Sequence, residues 1–261
     1  MRPGTIISNA NFKEDYFRVE FYAPDIAATA QAGSFVHVRI ANCADRILRR
    51  PFSICSTSAE GMVTVIYKVV GAGTQVLSTL GAGVVCDLLG PLGVPFSPPQ
   101  EDEIPILVGG GYGSAAMFML SAVAKNRGVV LLGARNERDL ILVDEYRARG
   151  FDVRLATDDG TAGMHGYVTG LIDPLLQEFA GKKLRFYACG PTPMLITLSK
   201  MMIERDYPEA EVSLDHLMCC GVGACFACVV KIKDANPDGF RYARTCSEGP
   251  VFKAAQVYTE V

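Results

Sequence analysis

The sequence predicts an antiparallel β-barrel, then a parallel-sheet α/β domain, then a small subdomain built around cysteines at the C-terminus. Three observations lead there. The first hundred residues hold short β-rich runs cut by turn material. From Ile104 buried strands alternate with helical stretches, the pattern of a parallel sheet. Four of the nine cysteines then fall within ten residues of one another near the end of the chain.

The barrel strands are expected over 16–21, 34–40, 51–56 and 62–69, with Ala59-Glu60-Gly61 and Gly71-Ala72-Gly73 as turns. Residues 97–103 are rich in proline and then acidic, which marks a linker. Residues 104–108 form a buried strand that runs into a glycine loop and an Ala/Met helix ending near Arg127-Gly128. Further strands follow at 129–132, 152–156 and 185–188, the last leading through Cys189-Gly190-Pro191 into a helix with Thr192 as its N-cap. After 212–214 the chain reads as irregular to about Val251.

Nearly half of the 261 residues are apolar and a fifth are charged, enough for a sizeable core. A net charge of −3 argues against nucleic acid as a partner, which would want a basic face. The most apolar stretch, 104–120, is broken by glycines and too short to span a bilayer, and residues 1–12 lack the apolar core of a signal peptide. A cytoplasmic protein without membrane contact is the expectation. The odd cysteine count and the chain length argue against a disulfide framework and for a metal site in a reducing compartment.

Cys220, Cys225, Cys228 and Cys246 follow the C-x4-C-x2-C…C spacing of a plant-type 2Fe–2S site. Four thiolates must converge on two irons, so the loop has to wrap closely. Gly221 and Gly223 clear side chains from it and let backbone N–H groups face the sulfurs. A tetrathiolate zinc site is the rival, although such sites usually pair two C-x2-C knuckles. Cys219 precedes the first ligand, but only Cys220 keeps the x4 spacing. Cys43, Cys55 and Cys86 read as small core residues.

Arg50-Pro51-Phe52-Ser53 starts a barrel strand, where a guanidinium can meet a pyrophosphate and a hydroxyl or backbone group a flavin ring. The plain alternative is an ordinary strand start with surface arginines. Gly73-Thr74 is either a simple turn before a helix or a helix N-terminus for phosphate. Gly109-Gly110-Gly111-Tyr112-Gly113 follows a strand and opens a helix, and Gly111-x-Gly113-x-x-Ala116 fits the dinucleotide pattern, with a tight strand-to-helix turn as the plain alternative. The acidic residue expected at the end of the next strand is replaced by Gly133-Ala134-Arg135.

Together these residues resemble the ferredoxin-reductase superfamily, and within it the electron-transfer subunits of type B dihydroorotate dehydrogenase. The resemblance spans nearly the whole chain. It is carried by Arg50-Pro-Phe-Ser53, Ile66-Tyr67-Lys68, Gly73-Thr74, Leu89-Gly-Pro-Leu-Gly93, the triple glycine, Cys189-Gly190-Pro191 and Gly249-Pro-Val-Phe-Lys253. Its most specific part is Met218-Cys-Cys-Gly-Val-Gly-Ala-Cys-Phe-Ala-Cys228. It implies an FAD-binding domain over 1–99, an NAD-binding domain over 103–212 and a 2Fe–2S subdomain over 213–261. FAD would be held by Arg50, Pro51, Phe52, Ser53, Ile66, Tyr67, Lys68, Gly73 and Thr74. The glycine loop with Cys189, Gly190 and Pro191 would flank the nicotinamide.

The resemblance also implies a partner, an FMN-containing TIM-barrel dehydrogenase, in a heterotetramer. Electrons would run from dihydroorotate through FMN, the cluster and FAD to NAD, a step of pyrimidine biosynthesis. The alternative is the flavin subunit of an NAD(P)H–ferredoxin oxidoreductase, but that branch puts aspartate at the first cluster position, here Cys220. Ala115 and Ala116 stand where the family usually has prolines.

Overall fold

In the computed structural model, which describes residues 2–43, 47–214 and 217–258, alternation builds the first sheet. Along β2 (Tyr16–Tyr22) Tyr16, Val19 and Phe21 are buried while Tyr22 faces solvent. Its neighbours are β1 (Arg2–Lys13), β3 (Phe35–Arg39), β4 (Arg50–Ser53), β5 (Ser56–Thr57), β6 (Met62–Lys68) and β7 (Val85–Leu92). All pair antiparallel, in the order β4-β3-β7-β1-β2-β6-β5. The two edges are consecutive pieces of one run, 50–57. Ile54 N–H donates to the Ser34 carbonyl on one side, and Cys55 N–H to the Thr64 carbonyl on the other. The expected barrel is therefore closed by covalent continuity, since no ladder among the described residues joins β4 to β5.

The second sheet holds β8 (Ile104–Gly110), β9 (Val129–Ala134), β10 (Asp152–Thr157), β11 (Met164–His165), β12 (Leu184–Gly190) and β13 (Glu211–Leu214) in parallel. An antiparallel strand, β16 (Val251–Lys253), covers the β13 edge, so the sheet is mixed. The expected linker is pinned to this sheet. Ser97 N–H donates to the buried Glu211 carboxylate, which also pairs with Arg185 at 2.6 Å.

Three expectations need correction. The helix after the glycine loop is two single turns, Gly113–Ala116 and Leu120–Val123, rather than one helix to 127. Arg149 takes the Phe118 carbonyl at 2.9 Å, and the Ser114 and Ser121 hydroxyls bond carbonyls three residues back, which competes with the helical ladder. Thr192 is already the first helical residue and caps nothing. The helix Thr192–Glu204 has Pro191 at the cap, and Leu195 N–H bonds its carbonyl. The C-terminal region is also not irregular throughout, because β14 (Val229–Lys233) and β15 (Phe240–Arg244) form a hairpin that buries Ile232 and Ala243.

A shared apolar core joins the two sheets, with Tyr16, Cys55, Ile66 and Phe96 meeting Leu107, Met117, Leu142 and Tyr146. Polar contacts cross the same seam. Lys13 Nζ donates to the Glu137 and Leu140 carbonyls, Arg18 pairs with Glu145 at 2.8 Å, and Lys68 pairs with Asp139 at 2.5 Å. No helix among the described residues is long and apolar enough to cross a membrane.

Tyr146 is fully buried and its hydroxyl donates to the Ser114 carbonyl at 2.8 Å, fixing the turn after the glycine loop. Tyr146→Phe leaves that carbonyl without its donor and is expected to cost about 1–3 kcal/mol. Urea unfolding should show a lower midpoint with an unchanged slope.

Candidate functional site

A cleft of about 830 Å³ opens along the barrel strand that begins at Arg50. Arg50, Pro51, Phe52, Ser53, Ile66, Tyr67, Lys68 and Thr74 all line it. Gly73 does not, but its lack of a side chain lets Arg50 approach: a methyl carbon there would stand 3.2 Å from Arg50 Nε. The Thr74 hydroxyl accepts from the Val70 and Gly71 N–H groups, so it shapes the loop beside the cleft. Phe52 and Tyr67 present tilted rings 5.7 Å apart, and the Tyr67 hydroxyl donates to Asn9 Oδ1. The cleft thus offers aromatic walls with a guanidinium at one end, the donor set that a flavin dinucleotide needs.

A second cavity of about 600 Å³ lies beside it, over the ends of the parallel strands. Gly110, Gly111 and Pro191 line this cavity, whereas Gly113 and Cys189 line the first. Gly109 and Gly190 line neither and act by close packing. A methyl carbon at Gly190 would sit 3.0 Å from Gly110 Cα, and one at Gly113 only 2.3 Å from the Cys189 carbonyl oxygen. Gly111 alone in this loop needs left-handed backbone, at φ +54°. Lys68 and Tyr112 line both cavities, which places them on the boundary.

Asp139 holds that boundary. It accepts from Lys68 and from Arg135, the latter at 2.9 Å, and lies 3.4 Å from the Tyr16 hydroxyl. Burial pulls its carboxyl pKa upward, but the bonds from Lys68 and Arg135 outweigh burial and hold it below the usual value. Tyr16 is raised well above the ordinary phenol value, first by burial and then by Asp139. No motif pointed to Asp139 or Tyr16, because Asp139 meets Lys68 and Tyr16 only across the seam between the sheets, and Tyr112 stood in the glycine motif without a role of its own.

The four predicted cysteines stand as two pairs. The Cys220 thiol contacts that of Cys225, and the Cys246 thiol contacts that of Cys228. Gly221 and Gly223 are left-handed, at φ +74° and +78°, which turns the loop's N–H groups inward. Gly223 N–H donates to Cys246 Sγ at 3.2 Å and Val222 N–H to Cys220 Sγ at 3.5 Å. Desolvation acts to raise Cys220, but N–H groups of Val222, Cys225 and Ala224 bring it down to about 6. Desolvation, with Cys228 adding to it, pushes Cys246 up to about 11. Cys219 also touches Cys225, yet its pKa is raised, first by desolvation.

Two pairs of thiols with N–H donors aimed at sulfur suit a two-iron cluster, in which each iron takes two protein sulfurs. A structural zinc site usually pairs two C-x2-C knuckles, whereas this chain has one C-x2-C and a C-x4-C. Cys43, Cys55, Cys86 and Cys189 are all buried, as expected of small core residues, and Cys189 also lines the first cleft.

Since Cys220 and not Cys219 collects the backbone donors, Cys220→Ser is expected to strip or weaken the cluster. Cys219→Ser should keep about two irons per chain. Iron analysis after anaerobic reconstitution decides it, and equal loss in both variants would refute the assignment.

Residues 215–258 match the family described as the iron-sulfur cluster binding domain of dihydroorotate dehydrogenase B. The chain is 39% identical over 248 residues to the dihydroorotate dehydrogenase B (NAD+) electron transfer subunit of Desulforamulus reducens, covering 94% of this chain and 93% of that one. It is 36% identical to the subunit of the same name from Geobacillus kaustophilus, covering 97% and 96%. Among solved structures, one of an NADH-dependent reduced ferredoxin–NADP oxidoreductase, studied for flavin-based electron bifurcation, superimposes with a TM-score of 0.82 at 30% identity over 98% of this chain and 89% of that one. On the identity shared along nearly its full length, the chain belongs to the family of dihydroorotate dehydrogenase B (NAD+) electron transfer subunits.

Proposed function

We propose that this chain is the electron-transfer subunit of a cytoplasmic, NAD-linked dihydroorotate dehydrogenase of pyrimidine biosynthesis. It carries FAD and a 2Fe–2S cluster and passes electrons from an FMN-containing partner, with which it forms a heterotetramer, to NAD. One observation carries the reading: the first cleft lies between the other two sites. Lys68 and Tyr112 line the side shared with the second cavity. Phe35 and Met218 line the other side and also pack on Cys228 and Cys246. A flavin there supplies the conversion between one-electron and hydride transfer.

By this reading residues 1–99 hold FAD, 103–212 hold NAD and 213–261 hold the cluster on Cys220, Cys225, Cys228 and Cys246. Arg50 makes a charge-assisted contact with the pyrophosphate, and Phe52, Ser53, Ile66, Tyr67 and Lys68 shape the flavin walls. Pro51, Gly73 and Thr74 set the backbone around them. Gly109, Gly110, Gly111 and Gly113 clear room for the dinucleotide, with Cys189, Gly190 and Pro191 facing the nicotinamide. The described residues offer no base held beside a second flavin, so the oxidation of dihydroorotate is assigned to the partner.

A second reading makes this the flavin subunit of an NADH-dependent ferredoxin–NADP oxidoreductase, favoured by the structural likeness to such an enzyme. Cys220 as a thiolate ligand argues for the first.

Arg50→Ala removes a charge-assisted contact worth roughly 1.5–3 kcal/mol. The purified variant is expected to hold clearly less FAD while keeping its iron, and full FAD retention at low protein concentration would count against the role. The isolated chain should also reduce an artificial dye with NADH yet leave dihydroorotate untouched. Dihydroorotate-dependent NAD reduction should appear only with the FMN partner, and Cys225→Ser should abolish it while sparing most NADH–dye turnover. Steady-state absorbance with each substrate tests this. Dihydroorotate oxidation by the chain alone sinks the proposal, and failure of any such partner to couple moves the assignment to the ferredoxin-linked reading.

A further inference from the structure

β3 presents two faces. Val36 and Val38 point into the barrel core, while Phe35 and His37 point the other way, toward the cysteine loop. Phe35 packs on Cys228 and Cys246, and its ring lies 5.6 Å from that of His37. His37 lies directly beneath the loop. A methyl carbon at Gly221 would stand 3.0 Å from His37 Cε1 and 3.1 Å from each ring nitrogen. Gly221, the residue after Cys220, is therefore the position that lets the loop rest on the imidazole.

His37 is 0% exposed, and neither ring nitrogen has a hydrogen-bond partner among the described residues. Burying a polar group without a partner costs free energy that an apolar side chain of the same size would avoid. The described residues supply no acceptor, and the ring lies against Gly221, next to Cys220, and beside Phe35, which packs on Cys228 and Cys246. An imidazole has at least one N–H donor in either protonation state, so the argument does not depend on its titration.

We propose that His37 donates a ring N–H to a sulfur of the 2Fe–2S cluster on its Cys220 side and so raises the cluster's reduction potential. This inference rests on the cluster reading above. Reduction adds one electron and hence one negative charge to the cluster, and no bond is made or broken. A fixed N–H donor stabilises the added charge, while the proton stays on His37. His37 is thus a positioning and tuning residue for electron passage, not a ligand.

The test uses the full chain reconstituted with iron, sulfide and FAD, and labelled with 15N-histidine. Pulsed EPR of the reduced wild-type cluster is expected to show a weak 15N coupling and an exchangeable-proton coupling. The 15N coupling should vanish in His37→Leu and the exchangeable-proton signal should shrink to the share of the loop amides, while the variant keeps its iron and shows a more negative midpoint potential. His37→Gln, which retains an N–H donor, should lose the 15N coupling but have a midpoint between the two. If the Leu variant fails to take up iron, the Gln variant carries the comparison.

A wild-type cluster without histidine coupling overturns the inference and leaves the cluster reading intact. A coupling that persists in His37→Gln overturns it too, because the donor is then another histidine. So does an unchanged midpoint in an iron-replete Leu variant, or a 15N coupling as large as that of a direct ligand. A wild-type chain that assembles no 2Fe–2S signal overturns the cluster reading itself.

Discussion

The pairing of β13 with β16 is the constraint on which the cysteine loop depends. Val212 faces Phe252 and Ser213 faces Val251, and Leu214 N–H donates to the Pro250 carbonyl. The chain therefore leaves and returns at one fixed point on the sheet edge. A loop closed at its base costs less entropy to order than one free at either end. The return point is held to the barrel as well, since Val94 N–H donates to the Gly249 carbonyl at 2.6 Å and Pro250 lies where any side chain at Gly93 would go. Barrel, sheet and loop thus meet at one junction, and the first cleft opens beside it.

The seam between the sheets sets the other distance that matters. Lys68 belongs to the barrel and Asp139 to the second sheet's connections, and their side chains are 18% and 13% exposed. A pair so shielded is screened by salt far less than a surface pair, although bringing both charges out of water offsets part of the attraction. The apolar core behind it supplies the adhesion, and the ion pair supplies register. Gly113 then allows the glycine loop to lie on the Cys189 backbone, which brings the two cavities close enough to share Tyr112 and Lys68.

Most of the fold was legible because local signals were strong. The strands at 104–108 and 129–132 are almost wholly buried runs, and the cysteine spacing encodes its own loop. What was not legible was non-local. β1 has only Ile6 as a fully buried large residue among its many polar ones, and β7 contains Gly90-Pro91, which normally argues against a strand. Both strands exist because neighbours complete their ladders. The helix after the glycine loop failed because Arg149, far along the chain, takes a carbonyl that the helix would have used. His37 gave no signal either, since a lone histidine in an apolar strand reads as core until the loop above it is known.

The cysteine pairs are also not equivalent. Cys228 and Cys246 are buried against Phe35 and Met218 on the wall of the first cleft, whereas Cys225 is exposed beside Phe226 and Val222. A cluster held by these residues would have a buried pair of ligands on the barrel side and a more exposed pair on the other. Under the proposed function the outer pair faces the partner and the inner pair faces the flavin. On that side Phe35 and the half-buried Met218 would shield the buried cysteine pair from water. The same asymmetry gives the burial of His37 its sense. A hydrogen-bond donor beneath the loop, screened from solvent on the barrel side, acts on the cluster's charge in a medium where each such bond counts for more than it would at the surface.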